Sequence, residues 1–140
     1  MTLLVCLIWL GRQGHLATQR FASDGRNPYA YVPTVNDAER MKAWLQDLLT
    51  EQPALNEEPV AVVGSFFWPL PWYLRSFDEI GYWDALPDGA ADRPLLFVLP
   101  TAGEEAAAAL ATSHQLFPRG LRYEFPVIIA IRKDLWESLP

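Results

Sequence analysis

The chain has 140 residues, of which 51% are hydrophobic and 20% charged. That suits one folded domain with a packed core and excludes the polar, aromatic-poor make-up of a disordered chain. The formal charge of -6 excludes a protein that wraps a phosphate backbone, because lysine and arginine must displace counterions there. Cys6 is the single cysteine, which excludes an internal disulfide, and His15 and His114 stand too far apart for a zinc-ligand spacing. No metal and no cofactor is expected.

Residues 2–10 form an uncharged run containing Leu3, Leu4, Val5, Leu7, Ile8, Trp9 and Leu10. As a helix this run rises roughly 14 Å, about half the hydrocarbon thickness of a bilayer, so it is too short to span one. It lacks the basic start of a secretory signal and the small residue expected before a lipidated cysteine. We read it as the last turns of a membrane helix whose upstream part is not in this chain, with a core strand or helix as the alternative. In residues 11–27, Gly11, Gly14, Gly25 and Asn27 punctuate a polar stretch bearing Arg12, Arg20 and Arg26, which reads as a connector. These arginines suit lipid headgroups or plain solvent equally. A soluble α/β domain is expected over residues 28–140.

Residues 29–32 are β-prone, and Thr34 three positions before Asp37 predicts a capping box opening a helix. Val35, Ala38, Met41, Leu45, Leu48 and Leu49 then recur at helical spacing on one face, and Pro53 ends the helix. Residues 60–63, followed by Gly64 and Ser65, read as a parallel strand buried on both faces. The aromatic and proline-rich residues 66–75 predict a short helix running to Phe77. Residues 80–83 form a third strand, residues 84–93 a loop and residues 95–99 a fourth strand. Residues 103–112 form a helix with Glu104 and Glu105 at its positive end. Residues 121–125 and 127–131 read as two last strands, with Pro126 at an edge or bend. The fold class is therefore α/β: a mixed, mainly parallel sheet of about five or six strands, helices on both faces, Rossmann-like layering and an antiparallel edge.

The sequence offers no catalytic constellation. Ser65 lacks the flanking glycines of a nucleophile turn, no phosphate-binding glycine loop occurs, and Glu57-Glu58 and Glu104-Glu105 are adjacent rather than opposed. Ser113 and His114 are chain neighbours with no expectation that their side chains meet, and His114 reads as a surface residue at a helix end. The remaining candidate is the aromatic segment just past the carboxyl end of the presumed central strand, where open α/β sheets bind ligands. Trp68, Trp72 and Tyr73 offer faces for a sugar, and Arg75 suits a phosphate or carboxylate. The competing expectation is that the rings pack a helix on the sheet while Arg75 pairs with Asp78 or Glu79. Between these, Trp72 is expected buried and Trp68 nearer the surface.

The segments PYAYVPT, PVAVVG, WPLPWYLRSFDEIGYW and VIIAIRKDLWE, in that order, resemble the C-terminal end of a family of multi-spanning archaeal and bacterial membrane proteins. These are the flippase-activity-associated, glycosyltransferase-like proteins related to the protein O-mannosyltransferases. The likeness covers about residues 28–137, and residues 68–83 are its most specific part. It implies that residues 2–10 end an array of membrane helices and that the domain lies outside the cytoplasm at the cell membrane. It further implies a whole protein that uses a polyprenyl-phosphate-linked sugar, with its acidic catalytic residues in membrane loops absent from this chain. The expected function is a non-catalytic accessory or ligand-recognition domain of such a glycosyltransferase-like protein. The alternative is a free-standing small α/β binding or interaction protein.

Overall fold

The computed structural model describes residues 2–27, 34–56 and 58–138. The β-prone residues 29–32 lie outside these. The chain runs through helix α1 (Thr2–His15), a π-helical turn (Leu16–Arg20), α2 (Asn36–Glu51), strand β1 (Val60–Val63) and α3 (Leu70–Leu74). It continues through β2 (Ile80–Trp83), β3 (Leu95–Val98), α4 (Glu104–Leu110), β4 (His114–Arg122), β5 (Phe125–Arg132) and α5 (Lys133–Glu137).

Five strands form one mixed sheet in the order β2-β1-β3-β5-β4. β1 pairs parallel with β2 and with β3, whereas β5 runs antiparallel to both β3 and β4. Parallel and antiparallel ladders are thus equal in number, and the expected excess of parallel pairing is absent because the last two strands are joined as a hairpin. That hairpin also corrects the strand assignment. β4 starts at His114 rather than near residue 121, and Tyr123 and Glu124 make the turn, Glu124 with φ 54°. Pro118 and Gly120 disguise β4 in the sequence, yet an edge strand tolerates both since it has a free side.

Alternation sorts the apolar side chains into two cores. Val60, Val62, Leu95, Phe97, Ile129 and Ile131 pack with Met41, Leu45 and Leu48 of α2 and Leu70 and Leu74 of α3. Ala61, Val63, Leu96, Val98 and Ala130 pack with Ala106 and Leu110 of α4 and with Ala90. All four residues of β1 and all four of β3 are buried, so these strands carry no polar face.

The expected face of α2 is the buried one, but its capping box does not form. Val35 occupies the cap position with no side-chain bond. The Asp37 carboxylate instead accepts a 2.7 Å hydrogen bond from the Gly120 amide, tying the first turn of α2 to β4. At the other end of the sheet the Lys133 ammonium donates to the carbonyls of Ala111 and Thr112, which α4 leaves open at its C-terminus.

α1 stands apart from both cores. None of its residues is buried, and Leu3, Leu4, Val5, Leu7, Ile8, Trp9 and Leu10 are all exposed. Gly11 and Gly14 lie inside it rather than ending it. The connector beyond returns to the domain through a 3.0 Å bond from the Ser23 hydroxyl to the Asn36 side chain, and through Gly25, which packs on the Tyr123 ring. No helix among the described residues is long and apolar enough to cross a membrane.

Candidate functional site

β1 leads through α3 to β2 on one side of it, whereas β3 leads away on the other, so the loops after β1 and β3 diverge from neighbouring strands. Such a switch point leaves a crevice at the strand ends. Here Thr101 closes it. The Ser65 amide donates to Thr101 Oγ1 at 2.6 Å, and that hydroxyl donates to the Ser65 carbonyl at 3.0 Å. Gly64 makes the closure possible: at φ 108° it suits glycine alone, and a Cβ there would lie 2.6 Å from Thr101 Oγ1.

The loop after β1 carries exposed rings beside this closure. Phe66 is 71% exposed in the left-handed region at φ 60°, a strained setting for an aromatic residue. Its carbonyl is held by Arg122 Nη2 at 2.9 Å, and the Arg122 guanidinium stacks on Phe125. Phe67 turns inward onto Tyr82, with ring centroids 4.6 Å apart. Trp68, before a cis bond to Pro69, is 64% exposed, as its place outside α3 predicts.

Trp72 is 59% exposed, contrary to its expected burial. The reason is geometric: α3 buries Leu70 and Leu74, one turn apart, and Trp72 midway between them must face outward. The Arg75 guanidinium lies 4.2 Å from the Trp72 ring centroid and donates to the Trp72 carbonyl. It pairs with neither Asp78 nor Glu79. Asp78 accepts instead from the Asn56 amide. Tyr73 points the other way, half-buried against the core with its hydroxyl bonded to Thr34, and burial raises its pKa above the ordinary tyrosine value. The structure thus brings Trp68, Trp72 and Arg75 to the surface and leaves Tyr73 in a supporting position. Arg122 escaped the sequence reading, and Phe66 entered it only as part of the aromatic segment, since only the backbone geometry and the hairpin turn bring the two together.

Ser113 and His114 also depart from expectation. Ser113 Oγ and His114 Nδ1 are 2.8 Å apart, and His114 Nε2 lies 2.8 Å from the Arg93 carbonyl. A carbonyl only accepts, so Nε2 carries the proton and Nδ1 accepts from Ser113. The ring is 1% exposed, a structural link between the start of β4 and the segment entering β3. Burial lowers its pKa below 6.5, helped by Arg132 and Lys133 and opposed by the Arg93 hydrogen bond and Asp134. A lowered folded pKa means that the unfolded chain binds the proton first. The contribution of His114 to stability is present above about pH 6.5 and is lost as the pH falls through the folded value. Urea midpoints should drop between pH 7.5 and pH 5 by more in the native chain than in His114→Asn; equal drops would remove His114 as the cause.

Among the described residues no group of histidine, cysteine and acidic side chains is placed to hold a metal ion. Comparison with family models, with curated proteins and with solved structures returned no match.

Proposed function

We propose that this chain is the recognition domain of a membrane-bound, glycosyltransferase-like protein, held at the extracytoplasmic surface by α1 and without catalytic groups of its own. Its ligand is the sugar phosphate part of a polyprenyl-phosphate-linked donor. The observation that carries this reading is the exposed pair Trp68 and Trp72, with Arg75 free of any carboxylate partner among the described residues. Rings of this kind stack on the apolar face of a sugar, and a guanidinium supplies paired donors to a phosphate. We read the layering as Rossmann-like on the strength of the parallel β2-β1-β3 unit, whose connections pack in opposite cores.

The test is a titration with a short-chain polyprenyl-phosphate sugar in detergent, followed by the indole resonances of Trp68 and Trp72. Trp72→Ala and Arg75→Ala should each weaken binding about tenfold, near 1.4 kcal/mol, while changing folding stability by less than about 1 kcal/mol because both residues are exposed. A titration that moves neither indole would sink the reading.

A further inference from the structure

We infer that the loop carrying Phe66 and Trp68 lies against the same bilayer that receives α1, so that the carboxyl end of the sheet is the membrane-facing end of the domain. This rests on the reading that α1 enters a membrane.

The occupant follows from the shape of α1. At 100° per residue, Leu3, Leu4, Val5, Leu7, Ile8, Trp9 and Leu10 surround the helix, and all are exposed. A protein groove covers one stripe of a helix and leaves the rest wet, whereas lipid covers every side. The topology then brings that helix to one end of the sheet. Gly25 packs on Tyr123 at the tip of the β4–β5 hairpin. Gly25 lies five positions beyond Arg20, the end of the helical segment, a reach of about 17 Å at full extension. From the same tip, Arg122 holds the Phe66 carbonyl. The exposed rings of Phe66, Trp68 and Tyr123 therefore stand on two loops that are tied together where the chain returns from the helix, with Arg20 at the end of the helical segment and Arg26 next to Gly25. Tryptophan and tyrosine rings with nearby arginines are the composition that settles at the headgroup level. The left-handed backbone of Phe66 costs conformational energy to turn an apolar ring into water, and a lipid surface is what recovers it.

Fluorophore labelling of single cysteines separates this from the reading beneath it. The native Cys6 reports on α1. In a Cys6→Ser background, Phe66→Cys and Trp68→Cys report on the loop, and Ala91→Cys reports on the turn that leads to the opposite end of the sheet. With vesicles of phosphatidylcholine and phosphatidylglycerol, labels at positions 6, 66 and 68 should shift to the blue and brighten, while the label at 91 stays unchanged. A response at Cys6 without one at 66 or 68 overturns the inference and leaves α1 in the membrane. No response at any position overturns both. A loop label that responds to soluble sugar phosphate but not to vesicles assigns the rings to ligand alone and also overturns it.

Discussion

Phe97→Ala destabilises the domain by about 3–5 kcal/mol, a large part of the roughly 5–15 kcal/mol available to a domain of this size. Phe97 is 0% exposed, and it sits on the middle strand of five with Val62 and Ile129 as its neighbours in the ladders. The hole left by the ring opens among side chains that the sheet, α2 and α3 already hold in a packed core, so it cannot collapse freely. Phe66→Ala, by contrast, should change stability by less than about 0.5 kcal/mol, since its ring meets solvent. Urea unfolding of the two variants checks both. A loss of less than about 1 kcal/mol for Phe97→Ala would mean that the sheet does not centre on β3.

On the proposed membrane reading, removing residues 2–20 should abolish association with vesicles and leave cooperative melting intact. Each large apolar side chain that leaves water contributes about 1.5–3 kcal/mol, so the side chains from Leu3 to Leu10 together favour lipid by more than about 10 kcal/mol before the cost of immobilisation. None of the removed residues is buried in the domain. The hydrogen bonds lost across the cut include those from the Asn27 amide to the Ala17 carbonyl at 2.8 Å and from the Phe21 amide to the Leu16 carbonyl at 2.9 Å, each about 1 kcal/mol. Flotation with vesicles and a thermal melt read the two halves separately. Loss of cooperative melting would place α1 in the core, and vesicle binding that survives the deletion would remove α1 as the anchor.

What the sequence made legible is what composition alone decides. Four consecutive apolar residues at 60–63, three of them valine and followed by Gly64, read as a strand buried on both faces, and the spacing from Ala38 to Leu48 fixes one side of α2. What it hid depends on partners distant in the chain. Asp37 looked like half of a cap because nothing nearby shows that the Gly120 amide, in an unrecognised strand, needs an acceptor. His114 looked superficial because its burial depends on the segment at Arg93 folding over it. Of the candidate surface, Trp68, Trp72 and Arg75 were legible as residue types. The outward turn of Trp72 was not, because it follows from which leucines of a five-residue helix the sheet captures.

The two edges of the sheet differ in length but share a property that governs behaviour at high concentration. An unpaired strand edge is a template on which a second chain can add and begin a fibril. On β4 the outer line of donors is broken by Pro118, by a register shift between Gly120 and Arg122, and by Asp37, which already occupies the Gly120 amide. On β2 the edge is only four residues long, and the Trp83 ring lies folded back over Gly81. Among the described residues neither edge offers a long unbroken run of amides, which disfavours edge-to-edge addition of a second sheet even with the apolar helix exposed.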